Sequence, residues 1–392
     1  MSEPFALNLK PGAWNLEPLI IRHSGFLCLA VLLIIITAGL WPFNFIPKNK
    51  VKWLPDRNGV HFYGHGIIIS SDPLRLAPDP SSLEPSITIE LHLRPLIETS
   101  NLPRILTLYD GKTPDIFFVG QWRSHLDIQS RTDNPAMRKK GKAYGETGLM
   151  NALLKNQDVL ITVISGKNGT NIYMNGNFAA ASPRHSLLSD YKGQAFHIIL
   201  GNSSTGKGYW TGEFLGLAIY NTTLTPEQIS ANHLSWLKSD FSSIKQAKSL
   251  IALYPFKERE GIFVNNRVGA SAALSIPKIF QHPKQAILEP PWQDFYFNGS
   301  FITDAIINIL GFIPLGLITC TYLLNIMPYL KRKNTTYLIV FIFCCSLTFS
   351  IELLQIYLPS RQSQLGDVLF NTLGTILGIA VYHAFTKMKL NR

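Results

Sequence analysis

Seven polar residues interrupt the apolar C-terminal part of the chain and could form a chemical site. They are Asp304, Asn308, Glu352, Gln355, Arg361, Asp367 and Asn371. Glu352 and Gln355 lie three residues apart and therefore share one face of a helix. Arg361 follows after a short loop, and its forked guanidinium suits binding of a phosphate. Paired carboxylates are also suited to acid–base catalysis. The sequence therefore predicts a polar cluster that binds a charged headgroup, with catalysis as an alternative.

Four of these residues belong to an internal repeat. The segment Asp304–Gly311 matches Asp367–Gly374, because each has Asp first, Asn four residues later and Leu-Gly at the end. On a helix the three shared positions lie on one stripe. Gly378 extends the small-residue stripe of the second copy, which would let a neighbouring helix approach closely. Membrane proteins built from repeats often place a binding site between the copies.

Each residue also has a purely structural interpretation. Asp304 and Asp367 begin their helices, where a carboxylate caps free N–H groups, and both Asn residues are suited to hydrogen bonds between helices. An unpaired carboxylate costs about 2.5–3.5 kcal/mol at the centre of a membrane helix. We therefore expect Arg361 to pair with Glu352 or with Asp367. No Ser–His pair or metal-ligand spacing accompanies these carboxylates, so we predict no catalytic residue, metal or cofactor.

The elements that must position this cluster are apolar runs long enough to cross a membrane. A crossing helix needs about 20 apolar residues, and four uncharged runs reach or approach that length: Gly25–Phe43, Ala305–Leu330, Thr335–Ser350 and Val368–Thr386. No signal-peptidase site follows the first run, which ends instead at the aromatic segment Trp41-Pro42-Phe43. The sequence predicts four transmembrane helices, the first over residues 24–45.

Lys and Arg in the short connections set the orientation. They lie before the first run, between the second and third, and after the fourth, and cytoplasmic loops carry this excess. We therefore predict cytoplasmic termini, with a segment 1–23 inside, a large domain 46–298 outside, and helices two to four in 299–392. The formal net charge of +11 needs no nucleic acid to explain it. A basic segment, Arg138–Lys142, either contacts anionic glycan or lipid or is simply solvated.

The segment between the first two apolar runs is rich in strand patterns. Ser86–Arg94 alternates apolar and polar residues, and Asn175-Gly176 supplies a turn. Further predicted strands are Arg104–Tyr109, Asp115–Val119, Ser124–Ser130, Asp158–Ser165, Thr170–Met174, Phe196–Leu200 and Gly212–Tyr220. Thr225-Pro226-Glu227-Gln228 predicts one helix start. None of the four cysteines lies in this domain, which fits a bacterial envelope protein. The fold class expected is a four-helix transmembrane α bundle plus an extracytoplasmic all-β jelly-roll sandwich.

Parts of this external domain resemble the LamG-like, concanavalin A-like jelly-roll family. The matching segments are Leu160–Asn177, Tyr209–Asn221 and Leu224–Ile229. The resemblance implies a fold that hosts lectins, adhesion modules and glycosidases. A glycosidase would need two carboxylates flanking the scissile bond, and no predicted strand carries acids at alternate positions. Trp122, Tyr209 and Trp210 could stack on sugar rings, although burial in the sandwich core is the alternative for each.

The membrane part is similar to the VanZ-like family of bacterial membrane proteins. The matching segments are Trp41-Pro42-Phe43, Asp304–Gly316, Ser350–Gln355, Leu358–Arg361 and Gly366–Gly374. The resemblance implies an envelope protein related to one linked to glycopeptide (teicoplanin) resistance. A whole jelly roll in the first external loop is a departure from that family.

Together these observations predict an inner-membrane protein of a bacterial envelope. Its jelly roll would bind extracytoplasmic glycan, and its polar cluster would bind membrane lipid or a headgroup. Alternatives are an enzyme acting on a lipid-linked glycan, a small proton-coupled transporter, or an adhesin whose helices serve only as an anchor. The transporter requires a homo-oligomer, because four helices make a small pathway.

Overall fold

A computed structural model of the 392-residue chain describes residues 23–76, 86–131, 144–183, 185–187, 194–269, 272–283, 287–290, 299–326, 333–359 and 361–390. The chain forms two compact units. The helical unit consists of Met1–Phe45 and Ala286–Arg392, and the β unit consists of Ile46–Gln285. The basic segment Arg138–Lys142 lies outside the described residues.

The helices are α1 (Ser24–Leu40), α2 (Pro226–Lys238), α3 (Ser242–Lys245), α4 (Gly299–Ile326), α5 (Lys333–Gln355) and α6 (Leu365–Leu390). Among the described helices, α4, α5 and α6 are long and apolar enough to cross a membrane. The predicted fold class is confirmed, but the helix count differs from four. Helix α1 has 17 residues, about 26 Å at 1.5 Å per residue. It ends at Leu40 because Trp41 precedes Pro42, and the residue before proline disfavours helical backbone.

Glycines bring α4 and α6 into close contact. A Cβ atom at Gly374 would lie 2.3 Å from the Ile309 carbonyl oxygen, and one at Gly378 would lie 2.3 Å from the Ile313 carbonyl oxygen. The predicted small-residue stripe therefore faces the backbone of α4. Gly311, which matches Gly374 in the repeat, has nothing within 4 Å of such an atom. The two copies of the repeat thus share a sequence pattern but differ in their surroundings.

Two antiparallel sheets form the described part of the β unit. The first sheet has eight strands: in spatial order β1 (Val51–Trp53), β2 (Val60–Tyr63), β14 (Thr211–Tyr220), β5 (Ile87–Pro95), β10 (Val159–Gly166), β11 (Gly169–Met174) and β12 (Asn177–Ser182), with β15 (Leu250–Tyr254) paired to β14. The second has nine: β16 (Phe263–Val264), β17 (Leu274–Ser275), β3 (Ile68–Ser70), β13 (Ala195–Leu200), β6 (Arg104–Tyr109), β7 (Phe117–Trp122), β8 (His125–Arg131) and β9 (Tyr144–Leu149), with β4 (Leu74–Arg75) paired to β13.

One face of each sheet forms the shared hydrophobic core. Phe62 and Phe214 of the first sheet and Phe117 and Phe196 of the second are fully buried in it. Alternating strand residues therefore point inward, and the residues between them form the two outer faces.

Helix α2 covers part of the outer face of the first sheet. Thr225 is its N-cap, and Thr225 and Gln228 form the predicted reciprocal capping pair. Beneath the helix lies Glu90 of β5, which is completely buried. Its carboxylate accepts hydrogen bonds from Trp236 Nε1 (3.0 Å), Asn232 Nδ2 (2.9 Å) and the Tyr220 hydroxyl (3.2 Å). Burial raises the pKa of Glu90, and these three donors oppose that rise.

Candidate functional site

The repeat residues of α4 and α6 contact each other directly. Asn308 Nδ2 donates a hydrogen bond of 2.8 Å to Asp367 Oδ1, so the Asn of one copy meets the Asp of the other. Asp304, the matching acid of α4, is exposed. The repeat interface therefore contains an interhelical hydrogen bond, and the exposed Asp304 lies near enough to Asp367 for the two charges to interact.

Asn371 connects α6 to α5 instead of to α4. Its Nδ2 donates to Thr348 Oγ1 at 2.8 Å, and the side chain is buried. Within the described structure its Oδ1 is buried without a hydrogen-bond partner. This contact fixes the spacing of two helices and follows the structural interpretation given for Asn371.

Glu352 is 2% exposed, near the end of α5. Its Oε2 accepts a hydrogen bond of 2.8 Å from the backbone N–H of Gln364, the residue just before α6. A carboxylate at a helix N-terminus accepts from free N–H groups and complements the helix dipole. Glu352 thus stabilises the beginning of α6 and closes the loop between α5 and α6.

Gln355 and Arg361 bind the end of α1. Gln355 Nε2 donates to the Gly39 carbonyl oxygen at 2.9 Å. Arg361 donates to the carbonyl oxygens of Trp41 at 3.1 Å and Ala38 at 2.8 Å. Helix C-termini leave carbonyl groups without helical partners, and these side chains supply the donors. We predicted that Arg361 pairs with Glu352 or Asp367. Among the described residues its hydrogen bonds go instead to backbone carbonyls of α1, and its charge is near enough to both carboxylates to interact with them.

A groove on α1 lies beside this contact. Its volume is about 540 Å³, and it is lined by Leu33, Ile34, Thr37, Ala38, Trp41 and Arg361. One end is apolar helix surface, and the other carries an indole and a guanidinium. Five of the seven predicted residues thus join helices or the start of α6: Asn308, Glu352, Gln355, Asp367 and Asn371. Arg361 binds the end of α1 and is exposed beside the apolar groove, and Asp304 is exposed.

The three aromatic residues predicted to contact sugar differ in burial. Trp122 and Tyr209 are 42% and 44% exposed, whereas Trp210 is 0% exposed. The Trp210 indole N–H donates to Gln121 Oε1 at 2.7 Å inside the sandwich. The prediction for Trp210 is corrected: it belongs to the core, because its indole nitrogen already has a buried acceptor and its ring has no free face.

The outer face of the second sheet carries a polar row beside Trp122. Strand register places Arg104 opposite Gly120, Gly120 opposite Asp127, and Asp127 opposite Gly148. The two glycines leave the Asp127 side chain without cross-strand neighbours on either side. In the described structure Asp127 Oδ1 is buried without a hydrogen-bond partner. Burial raises the pKa of Asp127, which Gln129 and Arg104 oppose.

This row was not predicted from the sequence. Arg104, Asp127 and the two glycines come from four different strands, and no local spacing links them. The alternation within β8 was the available signal, because it puts Asp127 and Gln129 on one face.

The protein therefore belongs to the class of membrane proteins that carry a β-sandwich domain, since it combines helices long enough to cross a membrane with two packed antiparallel sheets. Residues 214–386 match the family model described as VanZ/LLP1. Residues 71–230 match the model described as the concanavalin A-like lectin/glucanases superfamily. Both resemblances read from the sequence are thus confirmed, and the chain combines a VanZ-like with a LamG-like part. The first match begins within β14, so the two overlap at 214–230.

Solved structures similar to the chain include a candidate carbohydrate binding protein from Bacteroides ovatus ATCC 8483, with 12% identity and a TM-score of 0.37 over 60% of this chain. The Trypanosoma rangeli sialidase in complex with sialic acid has 12% identity and a TM-score of 0.35 over 48%. The binding domain of Botulinum neurotoxin DC in complex with rat synaptotagmin II has 15% identity and a TM-score of 0.33 over 48%. The aligned part covers 62%, 29% and 45% of those chains, respectively. No curated protein matches the chain.

Proposed function

We propose that this protein resides in the inner membrane of a bacterial envelope and that its β unit binds extracytoplasmic glycan. Both chain termini are then cytoplasmic, as the Lys and Arg distribution indicates. The observation that carries the proposal is the polar row on the second sheet, with an exposed indole next to it. Sugar recognition combines hydrogen bonds from carboxylate, guanidinium and amide groups with stacking on an aromatic ring. The match of residues 71–230 to a superfamily described by lectins supports it.

Replacing Trp122 by alanine is expected to weaken glycan binding about tenfold, or about 1.4 kcal/mol, because an exposed stacking surface is lost. Asp127→Asn should weaken it by a similar factor, since an amide replaces the carboxylate of the polar row beside Trp122. The measurement is binding of the purified full chain in nanodiscs to peptidoglycan fragments and bacterial exopolysaccharides.

Phe178→Ala is the matched control, because Phe178 is also an exposed aromatic strand residue but lies on the first sheet. Tyr209→Ala tests the other exposed aromatic separately. Saturable binding that depends on Trp122 and Asp127 and not on Phe178 supports the proposal. Folded protein that binds no member of the panel contradicts it.

A second function, lipid headgroup binding in the helical unit, is favoured by the groove on α1. An acyl chain would lie along Leu33 and Ile34, with its phosphate near Arg361 and Trp41. Trp is common at the membrane interface, and the Arg fork suits phosphate. Two of the Arg361 nitrogens donate hydrogen bonds to carbonyl groups of Ala38 and Trp41. The remaining N–H donors of its guanidinium would bind the lipid phosphate.

Leu33→Trp is expected to reduce the anionic phospholipid that copurifies with the full chain at least threefold, because the larger side chain fills the groove. Native mass spectrometry of protein released from nanodiscs counts the retained lipid. Leu29→Trp is the control, since Leu29 is an exposed residue of α1 that does not line the groove. Equal retention in both variants would rule out this groove as the lipid site.

A further inference from the structure

Three lysines form a row at one edge of the first sheet. Lys52 lies in the edge strand β1, and Lys50 and Lys48 lie in the segment that leads into it. All three are exposed and occupy alternate positions. Side chains at alternate positions of an extended chain point to the same side. The Lys52 ammonium lies 5.6 Å from the centre of the Tyr63 ring, on the neighbouring strand.

Aromatic rings extend this row across the outer face. His61 stacks on Tyr63 with ring centres 3.7 Å apart, and His65 contacts Tyr209 with centres 4.1 Å apart. Both tyrosines are about half exposed. We call Lys48, Lys50, Lys52, Tyr63 and Tyr209 the basic strip.

The nearest acidic side chain in strand register is already neutralised. Glu213 lies opposite His61, and its carboxylate is paired with the Arg57 guanidinium. The charge that the basic strip presents is therefore positive.

The chain enters and leaves the β unit next to this strip. The Asn49 N–H donates to the Lys278 carbonyl at 3.1 Å, and the Phe280 N–H donates to the Pro47 carbonyl at 2.8 Å. Helix α1 ends at Leu40, seven residues before Pro47. An extended chain spans at most about 3.6 Å per residue, so that tether is at most about 25 Å long. A membrane that holds α1 is therefore within reach of the strip.

We propose that the basic strip binds the headgroup layer of an anionic membrane. Lysine ammonium groups attract anionic lipid when they lie within about a Debye length of the surface, near 8–10 Å, and tyrosine rings suit the interfacial region. Exposed Ile46 and Ile279, which flank the chain entry and exit, add apolar contact. The proposal is independent of glycan binding by the second sheet.

The competing explanation is protection of a sheet edge. Lysines on an edge strand discourage pairing with other chains, and that role needs no membrane. It predicts no dependence on lipid composition.

Lysine acetylation by a water-soluble reagent, followed by mass spectrometry, distinguishes these roles in the full chain. The protein is reconstituted in nanodiscs of phosphatidylcholine alone, or with a third of the lipid replaced by phosphatidylglycerol. Lys48, Lys50 and Lys52 are expected to react at least fivefold more slowly in the anionic discs, and 0.5 M NaCl should abolish the difference. Lys112, Lys155 and Lys245 are exposed internal controls that should react equally in both.

The variant K48Q/K50Q/K52Q and its control K112Q/K155Q/K245Q give a second measurement. Amide hydrogen exchange of residues 46–65 should slow in anionic discs for the wild type and the control, and not for the first variant. Equal acetylation in both lipids overturns the proposal. Protection by added heparin without protection by phosphatidylglycerol also overturns it, in favour of an acidic glycan. Aggregation of the first variant with lipid-independent labelling of the wild type overturns it in favour of edge protection.

Discussion

Gly374→Ala is expected to destabilise the helical unit by about 2–3 kcal/mol, in the range of overpacked sites. The added Cβ atom would lie 2.3 Å from the Ile309 carbonyl oxygen, and backbone atoms cannot yield as a side-chain tip can. Helices α4 and α6 would have to separate. Their separation also stretches the hydrogen bond from Asn308 to Asp367, which joins the same two helices.

Gly311→Ala is the matched control, because it makes the same substitution at the equivalent position of the repeat. A Cβ atom there meets nothing within 4 Å, and alanine favours a helix over glycine by about 1 kcal/mol. We therefore expect unchanged or raised stability. The measurement is the temperature at which half of the detergent-solubilised full chain leaves the monodisperse fraction. Similar losses in the two variants would show that α4 and α6 do not pack as the structure has them.

Glu90→Ala is expected to destabilise the β unit by about 3–5 kcal/mol, the range seen when one partner of a buried polar network is removed. The substitution leaves the Trp236 indole N–H, the Asn232 amide and the Tyr220 hydroxyl without their common acceptor. Trp236 and Asn232 belong to α2, and Tyr220 belongs to strand β14 of the sheet beneath it. Urea unfolding of the full chain in nanodiscs, followed by tryptophan fluorescence, measures the loss, and Glu98→Ala at an exposed site is the control.

The same carboxyl predicts a pH dependence. Burial raises the folded-state pKa of Glu90 above the ordinary value of 4.5. The part of the stability that comes from this pKa shift is therefore fully present below pH 4.5 and is lost as pH rises through the folded-state pKa. Glu90→Gln cannot ionise, so this decline should be absent from that variant. A variant with the same pH profile as the wild type would show that Glu90 does not titrate in this range.

Local patterns in the sequence determined the fold class. Alternating apolar residues predicted strands that correspond to β5, β6, β7, β8, β10, β11, β13 and β14, because a half-buried strand must repeat every two residues. The short strands β1, β3, β4, β16 and β17 were missed, since two or three residues carry no measurable period. The longer strands β2, β9, β12 and β15 were missed as well. Helix α2 was located by its capping residues, whose hydrogen bonds join positions only three apart.

The apolar runs and the repeat were equally readable from the sequence. Crossing a membrane requires a minimum length of apolar helix. The repeated Asp–Asn–Leu-Gly pattern marked two helices as related, and the structure packs these two against each other. The glycine stripe predicted close approach at Gly374 and Gly378. It did not distinguish Gly311, because a free glycine and a contacting glycine have the same sequence signature.

Only the tertiary structure decided what the polar residues contact. Arg361 lies one loop from two carboxylates in sequence, yet its hydrogen bonds go to Ala38 and Trp41, more than 300 positions away. Trp210 and Tyr209 are neighbours in the chain, but one is core and the other surface. Asp127 lies between two glycines, Gly120 and Gly148, only because of the register of three neighbouring strands. Sequence patterns report the period and polarity of one segment, whereas partners are set by which segments meet, and that depends on the whole fold.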